Sequence, residues 1–341
     1  GSALSASLLG TEDETKLAGV STDDLDAYEL FLQARKERAT FSYGGLQAAE
    51  DLLKGALLID PDFIEAKSEL ANSYIHQAET GLMDQQEANA EIIAITDQVL
   101  AVRPDDPIAK ATSIFAKAMS LAARGDVEAM TDVAAELEDI VAGAPKKNEP
   151  RILLARAYTH LQKHEECLTV LRDALSQDKL NPSLHYELGA AYIRARQWDE
   201  AKVALEKSLE LEPNQPNAYT YLGAIAMQEG DYVTMVQQQL NAISVDPQDH
   251  ELPGLLSLFL YQIGLTEIAD DFRNRVLTLA PTSPVAYQIE LARAKAIGDL
   301  EGSIEAARRA VEDDIEDRRF AFGGAVQHLI RTAVKTGRVE E

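Results

Sequence analysis

Residues 182–215 read PSLHYELGAAYIRARQWDEAKVALEKSLELEPNQ, two amphipathic helical patterns separated by a polar turn. In the first pattern Leu188, Gly189 and Tyr192 recur at helical spacing. In the second Ala201, Leu205 and Ser208 do so, and Pro213 stops the run. Small residues where two helices approach closely, large ones where they interdigitate, and a terminal proline are what a helix hairpin needs. The unit is 34 residues long, and from 148 onward it recurs without insertion or deletion, with starts at 148, 182, 216, 250 and 284. The close-contact position of the first (A) helix reads Ala155, Gly189, Gly223 and Ser257, then departs at Leu291. That of the second (B) helix reads Cys167, Ala201, Met235, Ala269 and Ser303, and a further small position reads Ala174, Ser208, Ala242, Val276 and Ala310. The stop proline returns at Pro247 and Pro281 and is missing at Lys179 and Ile315.

A 34-residue hairpin with this pattern resembles the tetratricopeptide repeat. The resemblance implies an all-α, right-handed α-solenoid of helix hairpins, with each repeat packed on its neighbours. Alanine, leucine and glutamate dominate and no strand-like alternation is present, which agrees with an all-helical chain. We expect four segments: a cap or the tail of a preceding domain over 1–20, irregular repeats over 21–142, five regular repeats over 148–317, and a C-terminal helix over 318–341 that starts a further repeat. In the irregular part, Ser21 and Thr22 are expected to cap a helix over 24–38 with Leu25, Tyr28, Leu32 and Arg35 near one face. A turn is expected at Gly44-Gly45. An insertion of about nine residues is expected around Thr80–Ala90, within the repeat that Leu70, Ala71 and Tyr74 open and Pro104 closes. A third hairpin is expected to turn at Arg124–Asp126. The breaker cluster GAPKKN, 143–148, is either a hinge or a longer loop between repeats.

The 341 residues are 46% hydrophobic and 26% charged, the balance of a folded chain, with a formal net charge of −25. Such acidity opposes nucleic acid and anionic membrane as partners; it serves solubility or the attraction of a basic partner. Cys167 is the single cysteine, so no disulfide forms within the chain and the compartment stays open. No apolar run reaches the roughly 20 residues of a membrane span, so direct membrane insertion is not expected. The Gly1-Ser2 start reads as an expression scar, which suggests an excised piece of a longer protein with an upstream signal or anchor left open. No polar cap follows the last repeat, so a dimer through the C-terminal end is a further expectation.

No glycine-rich phosphate loop, nucleophile elbow or zinc-protease helix is present, and no catalytic residue or cofactor is expected. His160, His164 and Cys167 would share a face on one continuous helix, but the repeat register puts a turn near Lys163 and no metal is expected there. The acidic run Glu312–Asp317 lacks the spaced glycine loop of a calcium site.

Resemblance to the family implies a concave groove lined by A helices that takes a peptide, an extended segment or a helix of a partner protein. The register then assigns Arg156, Tyr186, Ile193, Met227, Leu258 and Tyr261 to that groove. The family's lysine and asparagine clamp for a C-terminal carboxylate is not matched, because Ile152/Arg156 and Tyr186/Ala190 stand at its positions. The middle of the groove is instead mildly apolar, as a helix or hydrophobic peptide needs, unless these residues pack between repeats. A narrower resemblance covers 3–75. The run from STDDLDAYELFLQARKERATF to LLIDPDF looks like the junction between a TolB-like domain and its repeat array in bacterial membrane-anchored regulators and nucleotide cyclases. It is carried by Asp26-Ala27-Tyr28, Leu30–Leu32, Ala49 and Leu57–Pro61. It implies a non-enzymatic scaffold that is the extracytoplasmic (periplasmic) sensory or docking part of a membrane-anchored bacterial signalling protein; without that anchor the expected place is the cytoplasm. A periplasmic envelope-assembly protein of secretion or polysaccharide-export machinery, or the regulatory module of an enzyme whose catalytic domain is not part of this sequence, are the alternatives.

Overall fold

The computed structural model describes residues 20–122 and 128–312, and its described residues form sixteen α-helices and no strand. In chain order these are α1 (Leu25–Arg38), α2 (Tyr43–Ile59), α3 (Ile64–Thr80), α4 (Gln85–Val102), α5 (Pro107–Ala122), α6 (Glu128–Gly143), α7 (Asn148–His160) and α8 (His164–Gln177). They continue as α9 (Pro182–Arg194), α10 (Trp198–Leu211), α11 (Pro216–Glu229), α12 (Tyr232–Val245), α13 (Glu251–Gln262), α14 (Thr266–Leu279), α15 (Pro284–Ile297) and α16 (Leu300–Glu312). Odd-numbered helices are A helices and even-numbered ones B helices. The chain divides into two compact units, Gly1–Ile225 and Ala226–Glu341, with the boundary inside α11.

The small positions read from the sequence are where helices meet. A Cβ added at Gly189 would lie 2.6 Å from Leu205 Cγ on the partner helix, and Leu205 has no exposed surface. Ser257, the counterpart of Gly189 in unit 2, is also fully buried and donates its hydroxyl to the Ala269 carbonyl of α14 at 2.9 Å. Ala174, Ser208, Ala242 and Val276 are fully buried as well. In unit 1 one core runs without a break from Ala27 on α1 to Ala191 on α9, each hairpin contributing leucines to its neighbour. Full burial of a side chain such as Leu53 or Leu168 contributes about 1.5–3 kcal/mol.

The irregular hairpins differ from the sequence expectations in three ways. Gly44 and Gly45 lie in the first turn of α2, not in the inter-helix turn, which is Ala39–Ser42. Ser42 caps α2 by accepting from Gly45 N at 2.9 Å, and Gly45 packs so tightly on Thr40 and Ser42 that a Cβ would collide. The cap of α1 is Asp24, which accepts from Asp26 N and Ala27 N, whereas Ser21 reaches across to accept from Ile64 N of α3 and bond to Glu65. The buried stripe of α1 is Ala27, Phe31 and Ala34; of the face expected from the sequence, Tyr28 packs against that core while Leu25, Leu32 and Arg35 are exposed. The insertion near Thr80 lengthens helices instead of forming a loop. Helices α3 and α4 have 17 and 18 residues, against 13 or 14 in the regular hairpins α7–α8 and α9–α10. The 143–148 segment lies inside unit 1, with α6 packed on α7. The expectations for 1–19, for the 124–126 turn and for the C-terminal helix and dimer fall outside the described residues.

The A–B turns share one backbone device. A residue in the left-handed region closes each described turn: Phe41 (φ 52°), Gly81, Gln162 (φ 57°) and Arg196 (φ 58°) in unit 1, and Gly230, Gly264 and Gly298 in unit 2.

Candidate partner-binding face of the first unit

The A helices of unit 1 bring charged side chains together on one face. Arg156 on α7 donates to Glu79 Oε1 on α3 at 2.9 Å and to Glu187 Oε1 on α9 at 2.5 Å. Arg38 on α1 donates to Glu69 at 2.5 Å and meets His76 Nε2 at 3.3 Å. An arginine only donates, so Nε2 accepts and His76 is neutral, leaving the Nδ1 proton to face Glu79 Oε2 at 3.3 Å. The result is a row, Glu69–Arg38–His76–Glu79–Arg156–Glu187, in which carboxylates and guanidinium groups alternate on either side of the neutral His76, across four helices.

The row is self-consistent electrostatically. Burial alone would raise the Glu79 carboxyl, yet the Arg156 guanidinium and the His76 hydrogen bond hold it down at about 2. Burial lowers His76, and Arg156 and Arg38 lower it further against the pull of Glu79. For Arg156 burial works against the charge, but Glu187 and Glu79 push its proton affinity above the ordinary range. Such a network contributes little net stability when complete and costs several kcal/mol when one member is removed.

Beside the row lies a cavity of about 540 Å³. Leu32, Arg35 and Lys36 of α1, Asn72 and Ile75 of α3, Asn148 and Ile152 of α7, and the turn at 178–183 line it. Leu32, Arg35 and Lys36 are exposed at its rim, on the face of α1 turned away from the hairpin core. Asn72 is buried and accepts from Thr112 through its carbonyl oxygen.

Next to the cavity runs a file of rings: His76 edge-on to Phe41 at 4.7 Å, Phe41 stacked on Tyr186 at 5.3 Å, and Tyr186 stacked on Tyr221 at 5.8 Å. Burial, with Tyr221 and Glu187 adding, raises the Tyr186 hydroxyl well above its usual range.

Of the six residues assigned to the groove, Arg156, Tyr186 and Ile193 belong to unit 1. Arg156 and Tyr186 are both engaged with other residues of the chain, and Ile193 packs against the buried cluster of Ala201, Leu205, Ala218, Leu222 and Ile225. Met227, Leu258 and Tyr261 belong to unit 2. Met227 is half-exposed and Leu258 half-buried, while Tyr261 is buried and donates to Asp270. Asp270 is also paired with Arg293, and Arg273 with Glu290. Sequence reasoning missed Phe41, His76, Glu79 and Gln215. Phe41 carried a signal, since it occupies a turn position that four later hairpins fill with glycine. The turn at 161–163 puts His160 and Cys167 on different helices, and Cys167 is buried beside Thr159. Among the described residues no cluster of three potential metal ligands occurs, and no helix is long and apolar enough to cross a membrane.

The tetratricopeptide repeat family model matches residues 182–215. The chain is 28% identical over 130 residues to the BBSome complex member BBS4 of Bos taurus, a stretch that is 38% of this chain and 25% of that protein. It is 22% identical over 211 residues to the human mitochondrial import receptor subunit TOM70, 61% of this chain and 34% of that protein. The chain thus spans a quarter to a third of these relatives. In fold it is similar to the APC/C hetero-tetramer Cut9–Hcn1, with a TM-score of 0.61 at 14% identity over 92% of this chain and 57% of that one. It is also similar to a human IFIT1 dimer with m7Gppp-AAAA, with a TM-score of 0.56 at 14% identity over 87% of this chain and 65% of that one. Together with the hairpin geometry these likenesses show the fold, an all-α array of tetratricopeptide-type helix hairpins.

Proposed function

We propose that the chain is a non-catalytic protein-interaction scaffold that receives an extended or helical segment of a partner protein on the A-helix face of unit 1. The observation that carries this reading is the cavity of about 540 Å³, whose rim exposes Leu32, Arg35 and Lys36 on a helix whose opposite stripe is buried. An apolar side chain flanked by two cations on a rigid helix suits a peptide carrying an apolar anchor and an acidic neighbour. Membership of larger assemblies by its relatives, a BBSome subunit and an import receptor subunit, supports an adaptor role. The likeness of residues 3–75 to the junction after a TolB-like domain supports placing the scaffold in a bacterial membrane-anchored regulator, which the sequence flanking this chain would test directly.

The test of the face is a displayed random-peptide panel selected on the whole chain and rescreened on a Leu32→Asp, Lys36→Glu variant. Both side chains are exposed, so the variant keeps its helicity. Selected peptides are expected to lose at least tenfold in affinity on the variant. Peptides that bind both forms equally would place the partner surface elsewhere.

A further inference from the structure

The A–B turn of the first hairpin lies on the inner face of unit 1 in the way a bound segment would. Phe41 sits between the edge of His76 and the face of Tyr186 and is almost fully buried. Two residues earlier the Ala39 carbonyl accepts from Gln215 Nε2 at 3.1 Å, across 176 positions of sequence. Gln215 is fully buried, and its Oε1 accepts from Ser208 Oγ at 2.5 Å. The Ala39 carbonyl can only accept, which fixes the Nε2 end of the amide toward it, and the buried Ser208 hydroxyl, which also meets the Pro182 carbonyl, holds the other end, so Gln215 is a built donor and not a chance contact. Phe41 also adopts a left-handed conformation, φ 52°, which costs a non-glycine residue of order 1 kcal/mol. Helix packing in unit 1 runs between successive hairpins and between neighbouring A helices. The first hairpin meets the 182–215 hairpin chiefly through this turn.

Resting on the reading that this face receives a partner, we propose that Phe41 is an exchangeable internal ligand. The slot between His76 and Tyr186 is a subsite for the aromatic side chain of an extended partner segment, whose backbone carbonyl two residues before the ring takes the Gln215 amide. The chemistry selects for both features. Ring-on-ring contacts at 4.7 and 5.3 Å reward an aromatic side chain beyond its area. A ligand without the carbonyl leaves a buried donor unpaired. The turn competes in cis at high effective concentration, so the free protein binds such segments weakly until the turn yields.

The experiment uses the whole chain and a fluorescent, end-blocked heptapeptide ERATFSY, a copy of Glu37–Tyr43. Phe41→Ala is expected to bind it at least tenfold more tightly than the wild type. The same peptide with alanine in place of its phenylalanine is expected not to bind, and adding Tyr186→Ala to Phe41→Ala to abolish the gain. Should Phe41→Ala lose its helical circular dichroism, Phe41→Leu preserves the volume and is expected to gain at least threefold. Equal affinity of the wild type and the folded Phe41 variant, or equal binding of the two peptides, would overturn the proposal. Panel-selected peptides that map to the Leu32–Lys36 rim, carry no ring and are not displaced by ERATFSY would overturn it while leaving the partner face standing. Selected peptides that ignore the rim would instead remove the partner face itself.

Discussion

Units 1 and 2 close the same A–B turn with different residues, and the difference shows in what their A helices present. Unit 2 uses glycine at Gly230, Gly264 and Gly298, where a positive φ costs nothing and no side chain projects. Unit 1 uses Phe41, Gln162 and Arg196 at three of its four described turns of this kind, and the first of them carries a ring onto the inner face. The inner face of unit 1 is also crossed by the Arg38–His76–Glu79–Arg156–Glu187 row, whereas unit 2 pairs its charges locally, Arg293 with Asp270 and Arg273 with Glu290. Unit 2 exposes apolar side chains near its turns instead, among them Val233, Ile263, Leu265 and Ile268. A common packing period therefore leaves the faces free to diverge: buried small positions keep the hairpins, and turn and inner-face residues set what each unit offers.

The sharpest way to break the contrast is Arg156→Ala. It strands Glu79 and the half-buried Glu187 without their cation, and should cost unit 1 about 3 kcal/mol while leaving unit 2 unchanged. Segment-resolved hydrogen exchange would show the loss confined to α3, α7 and α9.

Acid should separate the units next. Glu79, at about 2 in the fold against 4.5 in the unfolded chain, stabilises above pH 4.5, and the contribution fades as pH falls toward 2. His76, lowered from 6.5, favours the fold fully above pH 6.5 and less below it. In unit 2 burial raises the Asp249 carboxyl to about 6 against its backbone hydrogen bonds, so its ionised form is a cost above pH 6 that is relieved as pH falls to 3.8. Between pH 7 and 4.5 exchange protection is thus expected to fall in unit 1 through His76 and rise in unit 2 through Asp249, and below pH 4.5 the fading Glu79 contribution deepens the fall in unit 1. The Glu79 part of the loss is held to ~1–2 kcal/mol, because Glu79 keeps 44% of its side chain in water. Parallel pH profiles in the two units would contradict the assignment.

Substitutions at glycine sharpen the packing side of the comparison. Gly189→Ala forces a methyl into Leu205 and should lower the midpoint by an amount equivalent to about 1–2 kcal/mol, overpacking outweighing the gain in helix propensity. Gly55→Ala, whose new carbon meets only Leu30 at 3.5 Å, should raise stability by about 0.5–1 kcal/mol in chemical denaturation. The smallest pair exchanges the turns: Gly264→Ala should cost about 1 kcal/mol at φ 82°, and Gln162→Gly should gain a few tenths.

Much of the architecture was readable because packing recurs. Buried positions repeat every 34 residues, so Cys167, Ala201, Met235, Ala269 and Ser303 stand out as a column and all prove buried. Where the repeat is irregular the reading failed locally. Gly44-Gly45 looks like a turn, but Gly45 is needed for contact with Thr40 and Ser42 inside a helix start, and the residues added near Thr80 extend two helices without altering their period. The inner face was the least readable part. Its ion pairs join residues 31 and 77 positions apart, and the Gln215 bond spans 176, separations that no local pattern encodes.

The central claim is that unit 1 folds its first hairpin against the 182–215 hairpin through the Phe41 turn. The most direct measurement is an electron-spin distance between labels at Lys36 and Ser183, both lining the same cavity, with Cys167 replaced by serine. A single short, narrow distribution in the free protein, broadened by Phe41→Ala, is the predicted result. A long or broad distribution in the unmodified turn, unchanged by Phe41→Ala, would contradict it.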